Sequence, residues 1–80
     1  MKTMNIYAKP GDKIIFAFPD NGFDYDHDDA AAAGLEEGTE YIIEKIEVMD
    51  WVTRVWLEGV KNPGRGFNSV MFADCEEPAE

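Results

Sequence analysis

The sequence is poor in the residues from which disulfides, metal clusters and membrane spans are built. Its 80 residues include one cysteine, Cys75, and one histidine, His27, so neither an intramolecular disulfide nor a cysteine metal cluster can form. Its apolar runs are much shorter than the roughly 18 residues of a membrane-spanning helix, and the first residues lack the apolar stretch of a signal peptide. We therefore expect a cytoplasmic protein with no membrane partner.

Basic residues are also scarce. Seven Lys and Arg residues stand against 17 Asp and Glu, which gives a net charge of −10. Such a charge repels nucleic acid and attracts basic surfaces of other proteins. No Lys or Arg lies between Lys13 and Lys45. We expect a Lys- or Arg-rich protein partner and no direct nucleic-acid binding, with solubility as the alternative reason for the charge.

Apolar alternation between turns that contain Gly and Pro predicts a mainly β chain. In the second strand the alternation places Ile42, Ile46 and Val48 on one face, and Tyr41 and Ile43 on the other. The second and third strands should form a hairpin. The strands are expected at 14–18, 41–48, about 53–60 and 67–73, with a brief edge strand or pairing arm at Ile6 and Tyr7.

The segment "DYDHDDAAAAG" predicts a short helix over about residues 26–33. Asp24 or Asp26 can cap its N-terminus, and alanine is the best helix former. Gly34 suits the left-handed conformation that ends a helix, and Leu35 can make the hydrophobic contact that accompanies it.

Four or five antiparallel strands, with one short helix inserted after the first long strand, predict a small SH3-like barrel. Closure of the sheet would hide most of its edges. The expected core includes Phe16, Phe18 and Phe72. We expect a single domain over residues 1–73 and an acidic, flexible tail over residues 74–80.

The acidic segment resembles a calcium-binding loop only in part. Asp24, Asp26 and Asp28 match ligand positions 1, 3 and 5 of an EF-hand, but position 6 is Asp29 and position 12 is Leu35. The glycine for the sharp turn and the bidentate glutamate are therefore both missing. We expect no dedicated metal site, and weak cation binding by these aspartates is left open.

Catalytic groups are not brought together by any pattern in the sequence. Acidic neighbours disfavour the reactive thiolate of Cys75, and the chain has no second histidine to activate Ser69 or Thr53. The loop "NPGRGF" lacks the Lys-Ser/Thr pair and the following helix of a phosphate-binding loop. We expect a protein that is not an enzyme and needs no cofactor.

The segments "NGFDYD", "LEEGTEYIIEKIEVMDWVTRVWLEG" and "NPGRGFNSVMF" resemble a group of small SH3-like proteins encoded by bacteriophages and prophages. That group combines a Gly-x-x-Tyr strand start with Trp-x-Thr-x-Val-x-Leu and a closing Phe-Asn-Ser-Val-x-Phe. The resemblance covers about residues 20–73. It implies the barrel fold and a phage or mobile-element origin, and small acidic proteins of that origin often antagonise host defence systems. The group is mostly of unassigned function, so the resemblance brings no catalytic residues.

These observations predict a non-enzymatic protein-interaction module whose negatively charged face binds a basic protein inside the host cell. Its most concrete form is an inhibitor of a host nucleic-acid-acting defence enzyme, such as a CRISPR or restriction nuclease. The alternatives are a phage accessory or assembly protein that self-associates, and a small ligand- or metal-binding protein. The predicted partner contacts are Asp24, Asp26, Asp28, Asp29, Glu36, Glu37, Trp51 and Trp56.

Overall fold

The computed structural model describes residues 3–75, which contain five strands and one α-helix. The predicted mainly β fold, with its helix after the first strand, is confirmed. In chain order the elements are β1 (Lys13–Phe16), α1 (Asp24–Ala33), β2 (Glu40–Val48), β3 (Thr53–Leu57), β4 (Phe67–Asn68), a 3₁₀ turn (Ser69–Met71) and β5 (Phe72–Asp74).

The five strands form one antiparallel sheet in the order β4-β3-β2-β1-β5. Strand β1 has a neighbour on each side, because Ile14 lies opposite Tyr41 of β2 and Asp74 of β5. Strand β1 therefore lies inside the sheet, and the arrangement is consistent with a small barrel. The predicted hairpin of β2 and β3 is also confirmed, with Met49 N–H donating to Val52 O in the connecting turn.

A bulge in β2 overturns the predicted faces of that strand. Ile43 pairs with Leu57, but the next pair joins Lys45 to Trp56, so Glu44 is an extra residue. Since an extra residue reverses the alternation of side chains beyond it, Ile43 and Ile46 both pack towards the core. The grouping of Ile42, Ile46 and Val48 on one face was wrong, and Ile42 and Val48 are exposed.

The predicted last strand is interrupted by the 3₁₀ turn. Asn68 caps this turn, its side-chain oxygen accepting a hydrogen bond from Val70 N–H at 3.1 Å. The turn redirects the chain, so Phe67, Met71 and Phe72 are all buried instead of alternating between two faces. The prediction of one continuous strand over residues 67–73 was wrong for this reason.

The core combines residues of the sheet with Ala30 of α1 and Met4 of the N-terminal segment, and three of its members are phenylalanines. The Phe72 ring lies 5.5 Å from that of Phe16 and 6.3 Å from that of Phe67, measured between centroids. Burial of Phe16 and Phe72 is confirmed, whereas Phe18 is half-buried. The buried apolar residues are Met4, Ile14, Phe16, Ala30, Ile43, Val55, Leu57, Phe67, Met71 and Phe72.

Helix α1 ends as predicted and begins slightly earlier. Gly34 has φ +76, its N–H donates to Ala31 O, and Leu35 N–H donates to Ala30 O, the two bonds of a Schellman motif. Leu35 packs against the core. At the other end Phe23 is the N-cap residue, so neither predicted cap is correct. Both aspartates instead lie in the first turn, where they complement the helix dipole.

The ends of the described chain are tied to the sheet. Ile6 and Tyr7 lie in a turn and not in a strand, while the buried Met4 donates its N–H to Phe72 O at 2.8 Å. Asp74 belongs to β5, so the predicted tail of residues 74–80 begins too early, and its residues 76–80 lie outside the described part. Within residues 3–75 no helix has the length and apolarity needed to cross a membrane.

Gly66 offers a test of packing outside the core. It has φ +74, and a Cβ there would lie 2.9–3.0 Å from three carbons of the Trp56 ring. We expect Gly66→Ala to lower the free energy of unfolding by about 2–4 kcal/mol, from backbone strain plus steric overlap. Gly59 is the matched control, since its φ is +77 with nothing within 4 Å of an added Cβ. Urea denaturation showing equal losses for both alanine variants would contradict the ring contact.

Candidate functional site

The four aspartates of α1 do not form one surface. Asp24 and Asp28 are exposed, Asp29 is half-buried, and Asp26 is buried with 1% of its surface exposed. Residues four apart share a helix face, whereas residues two apart point in nearly opposite directions. The prediction of Asp26 as a partner contact was therefore wrong: its side chain faces the sheet.

Asp26 is the centre of a buried polar cluster. Arg54 Nη1 donates to its Oδ1 at 2.6 Å, and Asn68 Nδ2 donates to its Oδ2 at 3.1 Å. Phe23 N–H donates to the same Oδ2 at 2.9 Å, which satisfies one of the unpaired donors at the helix start. One carboxylate thus joins the first turn of α1 to both β3 and β4.

The charge of Asp26 is maintained despite its burial. Burial by itself raises the pKa of a carboxyl, and it is the largest effect here. The hydrogen bonds from Phe23, Arg54 and Asn68, together with the positive charge of Arg54, outweigh it and hold the pKa of Asp26 below its ordinary value. The cluster is therefore an ion pair at neutral pH.

Asp29 is engaged by a second arginine. Arg65 Nε lies 2.9 Å from Asp29 Oδ2, and the Arg65 guanidinium lies 4.3 Å from the centroid of the Tyr25 ring. The Arg65 charge offsets that of Asp29, so Asp29 contributes less to a negative surface than the sequence predicted.

The two tryptophans have different surroundings. Trp56 is half-buried, packs against Gly66, and has Lys45 Nζ 4.7 Å from its ring centroid. Trp51 lies in the β2–β3 turn and is 97% exposed. A role for Trp56 with a partner stays a prediction, whereas Trp51 makes little contact with the described residues 3–75.

Trp51 belongs to an open groove of about 550 Å³ with a mainly apolar lining. The lining comes from the end of β2 and the β2–β3 turn, from the start of α1 and the 3₁₀ turn, and from Thr3 and Ile6. The floor contains Thr53, Asn68 and Ser69, which are buried. Exposed apolar side chains in the lining are Phe23, Val48, Met49, Trp51 and Val70.

Of these groove residues, the sequence predicted only Trp51 as a contact. Val48 was predicted to lie on a strand face, and no role was predicted for Met49 or Asp50. The available signal was the "VMDWV" segment, since a hairpin turn needs no apolar residues and this one has several. Phe23 and Val70 carry no comparable local signal, because the fold alone brings them to the groove.

The predicted contacts Glu36 and Glu37 follow the helix and are exposed. Glu36 donates its backbone N–H to the Tyr41 hydroxyl at 3.1 Å, which fixes the backbone while leaving the carboxylate outside. With Asp24 and Asp28 they make up the exposed part of the predicted acidic set.

Histidine and carboxylate positions in the described residues 3–75 do not converge into any group of three or more that could hold a metal ion. His27 Nε2 lies 2.9 Å from Asn21 O and 3.1 Å from Asp20 O. Those contacts direct this ring nitrogen towards the loop before α1.

Comparison with known families places the chain. The family described as Bacteriophage T4 protein Y07B matches residues 5–80. The chain belongs to this family. The predicted phage relationship is confirmed at that level, and the family description gives no activity. No curated protein and no solved structure gives a match.

The buried ion pair can be measured by a double-mutant cycle. Asp26→Asn and Arg54→Met should each destabilise the fold by about 3–5 kcal/mol, because each leaves a buried charge without its partner. The double variant has no buried charge, so its loss should fall short of the sum by about 2–3 kcal/mol. The exposed pair Lys45 and Glu47, 3.2 Å apart, is the control and should couple by less than about 1 kcal/mol. If the stability losses of the Asp26 and Arg54 variants add up in the double variant, the two residues do not interact as a buried ion pair.

The stability contributed by Asp26 should depend on pH in a defined direction. Because folding lowers the pKa of Asp26, its contribution is complete above the unfolded-state pKa of about 3.9 and disappears as pH falls through the folded pKa. The stability difference between wild type and Asp26→Asn should be constant near neutral pH and shrink below about pH 4. Denaturant titrations across that range would measure it, and a difference that grows on acidification would be inconsistent with this sign.

Proposed function

We propose that this protein is a non-enzymatic interaction module of phage type whose groove binds another protein. The observation that carries the proposal is the 97% exposure of Trp51 beside the exposed side chains of Val48 and Met49. Contiguous exposed apolar surface on a small protein commonly marks a binding site. Tryptophan and methionine are also enriched where proteins meet.

The lining of the groove supports binding over catalysis. Its polar side chains are those of Thr3, Asp50, Thr53, Asn68 and Ser69. In the described residues this lining includes no His, Lys or Cys that could serve as a base or nucleophile beside a hydroxyl. Asn68 is already engaged with Asp26 and Val70.

We assign the fold to the SH3-like class as part of this proposal. Its support is the strand order β4-β3-β2-β1-β5 together with the 3₁₀ turn that joins β4 to β5. Such small barrels present their loops as interaction surfaces on a rigid sheet.

The partner class we propose is a host nucleic-acid-acting defence enzyme, inhibited inside the host cell. Support comes from the phage family, from the net charge of −10, and from the exposed carboxylates of Asp24, Asp28, Glu36 and Glu37. Enzymes that bind DNA or RNA contact phosphates through Lys and Arg. A negative protein that occupies such a surface competes with the nucleic acid.

Nuclease assays test this role. With a panel of CRISPR effector and restriction nucleases and labelled DNA, we expect inhibition of at least one enzyme, weakening as salt rises from about 50 to about 300 mM. Asp24→Asn with Asp28→Asn should weaken inhibition more than Glu44→Gln with Glu58→Gln, which removes two exposed charges elsewhere. If both double variants lose inhibition equally, the helix face acts only through the net charge of the protein. Absence of inhibition across the panel would refute the defence-enzyme assignment.

A further inference from the structure

We infer that the groove recognises one kind of partner segment: an apolar or aromatic side chain flanked by Lys or Arg. This inference rests on the proposed protein-binding function and adds the chemistry of the occupant. The acidic helix face predicted from the sequence then supports attraction, and the groove lining makes the main contact.

The size and lining of the groove indicate a side-chain-bearing segment. The groove volume of about 550 Å³ is within the range found for ligand-binding pockets. Val48, Met49 and Trp51 supply apolar contacts from the end of β2 and the β2–β3 turn, and Phe23 and Val70 supply them from the start of α1 and the 3₁₀ turn. Burying an apolar side chain against this lining removes apolar surface of both partners from water.

The part of the lining around Phe23 is already held in place by contacts within the protein. The Phe23 ring stacks on Tyr25 with a centroid distance of 5.4 Å and an interplanar angle of 22°. Tyr25 in turn lies beneath Arg65, and Phe23 N–H is held by the buried Asp26 carboxylate. A lining fixed in this way loses little conformational entropy on binding.

Charge selects the flanking residues of the occupant. Asp50 is the one charged residue of the groove lining among residues 3–75, and Asp24 follows Phe23 at the start of α1. A cationic residue beside the apolar side chain would pair with these carboxylates and gain from the net charge of −10. The same charge argues against a second copy as occupant, because two such chains repel each other.

Synthetic peptides of equal length test the inference. The first carries Leu-Phe flanked by Lys and Arg, the second carries Gly-Ser with the same flanks, and the third carries Leu-Phe flanked by Glu. Fluorescence anisotropy should show binding of the first peptide at least tenfold tighter than that of the other two. Trp51→Ala should weaken this binding at least tenfold. Asp50→Asn should weaken it and reduce its salt dependence.

Tyr7→Ala is the matched control, because Tyr7 is a 77% exposed aromatic residue that does not line the groove. Its peptide affinity should stay within twofold of wild type. Since the Trp51 side chain is almost entirely exposed, its replacement should leave the circular dichroism spectrum and thermal stability unchanged. Any loss of peptide binding in that variant then reports on contact and not on folding.

Three outcomes would overturn the inference. Equal binding of the Gly-Ser peptide would mean that charge alone attracts the ligand. Tighter binding of the Glu-flanked peptide would contradict the electrostatic selection. Sedimentation that shows a dimer lost in Trp51→Ala would identify a second copy as the occupant.

The proposed protein-binding function and the inferred chemistry of the occupant can be tested separately. If the peptides do not bind but Trp51→Ala abolishes nuclease inhibition, the occupant chemistry is wrong and the protein-binding role stands. If Trp51→Ala changes neither peptide binding nor inhibition, the groove has no role in binding and both proposals fall.

Discussion

The buried contact between Asp26 and Arg54 is the constraint on which the arrangement of this protein depends. Helix α1 has a weak apolar face, since Ala30 and Ala33 are its residues packed on or in the core, and each offers a single methyl group. Such contacts alone would not fix the helix in one position. A 2.6 Å hydrogen bond between two buried, oppositely charged groups does so, because any displacement leaves both charges unpaired in a poorly solvated place.

The same cluster shapes the candidate site. Asn68 donates to Asp26 and accepts from Val70 N–H, so the floor of the groove, the helix start and the 3₁₀ turn share one hydrogen-bonded network. Gly22 lies close against this network, since an added Cβ would come within 3.0 Å of Asp26 Oδ2. The Phe23 and Val70 part of the groove is therefore positioned by buried groups. The exposed apolar side chains of the lining take no part in that network.

Local signals predicted local structure well. The C-terminus of the helix at Gly34 and Leu35 and the β2–β3 hairpin followed from residue preferences that act over a few positions. The break of the last strand was missed although Asn68, which accepts from Val70 N–H, supplies a local signal for it. The bulge at Glu44 was missed because it exists only in the pairing of β2 with β3. Asp26 was misplaced because its partners Arg54 and Asn68 are 28 and 42 residues away in the chain. A polar residue in an alternating strand predicts a solvated face, and Arg54 breaks that rule because the helix covers it.

In the proposed role, the negative net charge of the protein and the exposed apolar side chains of its groove have complementary effects. A small protein with exposed tryptophan, methionine and valine risks self-association, but a net charge of −10 opposes the approach of another copy. Towards a basic partner the sign of that effect reverses, and long-range attraction accelerates encounter. Apolar contacts formed after encounter slow dissociation, which is where affinity among related complexes is mainly set. In the proposed role, repulsion between copies would keep the groove open, and attraction would bring the basic occupant to it.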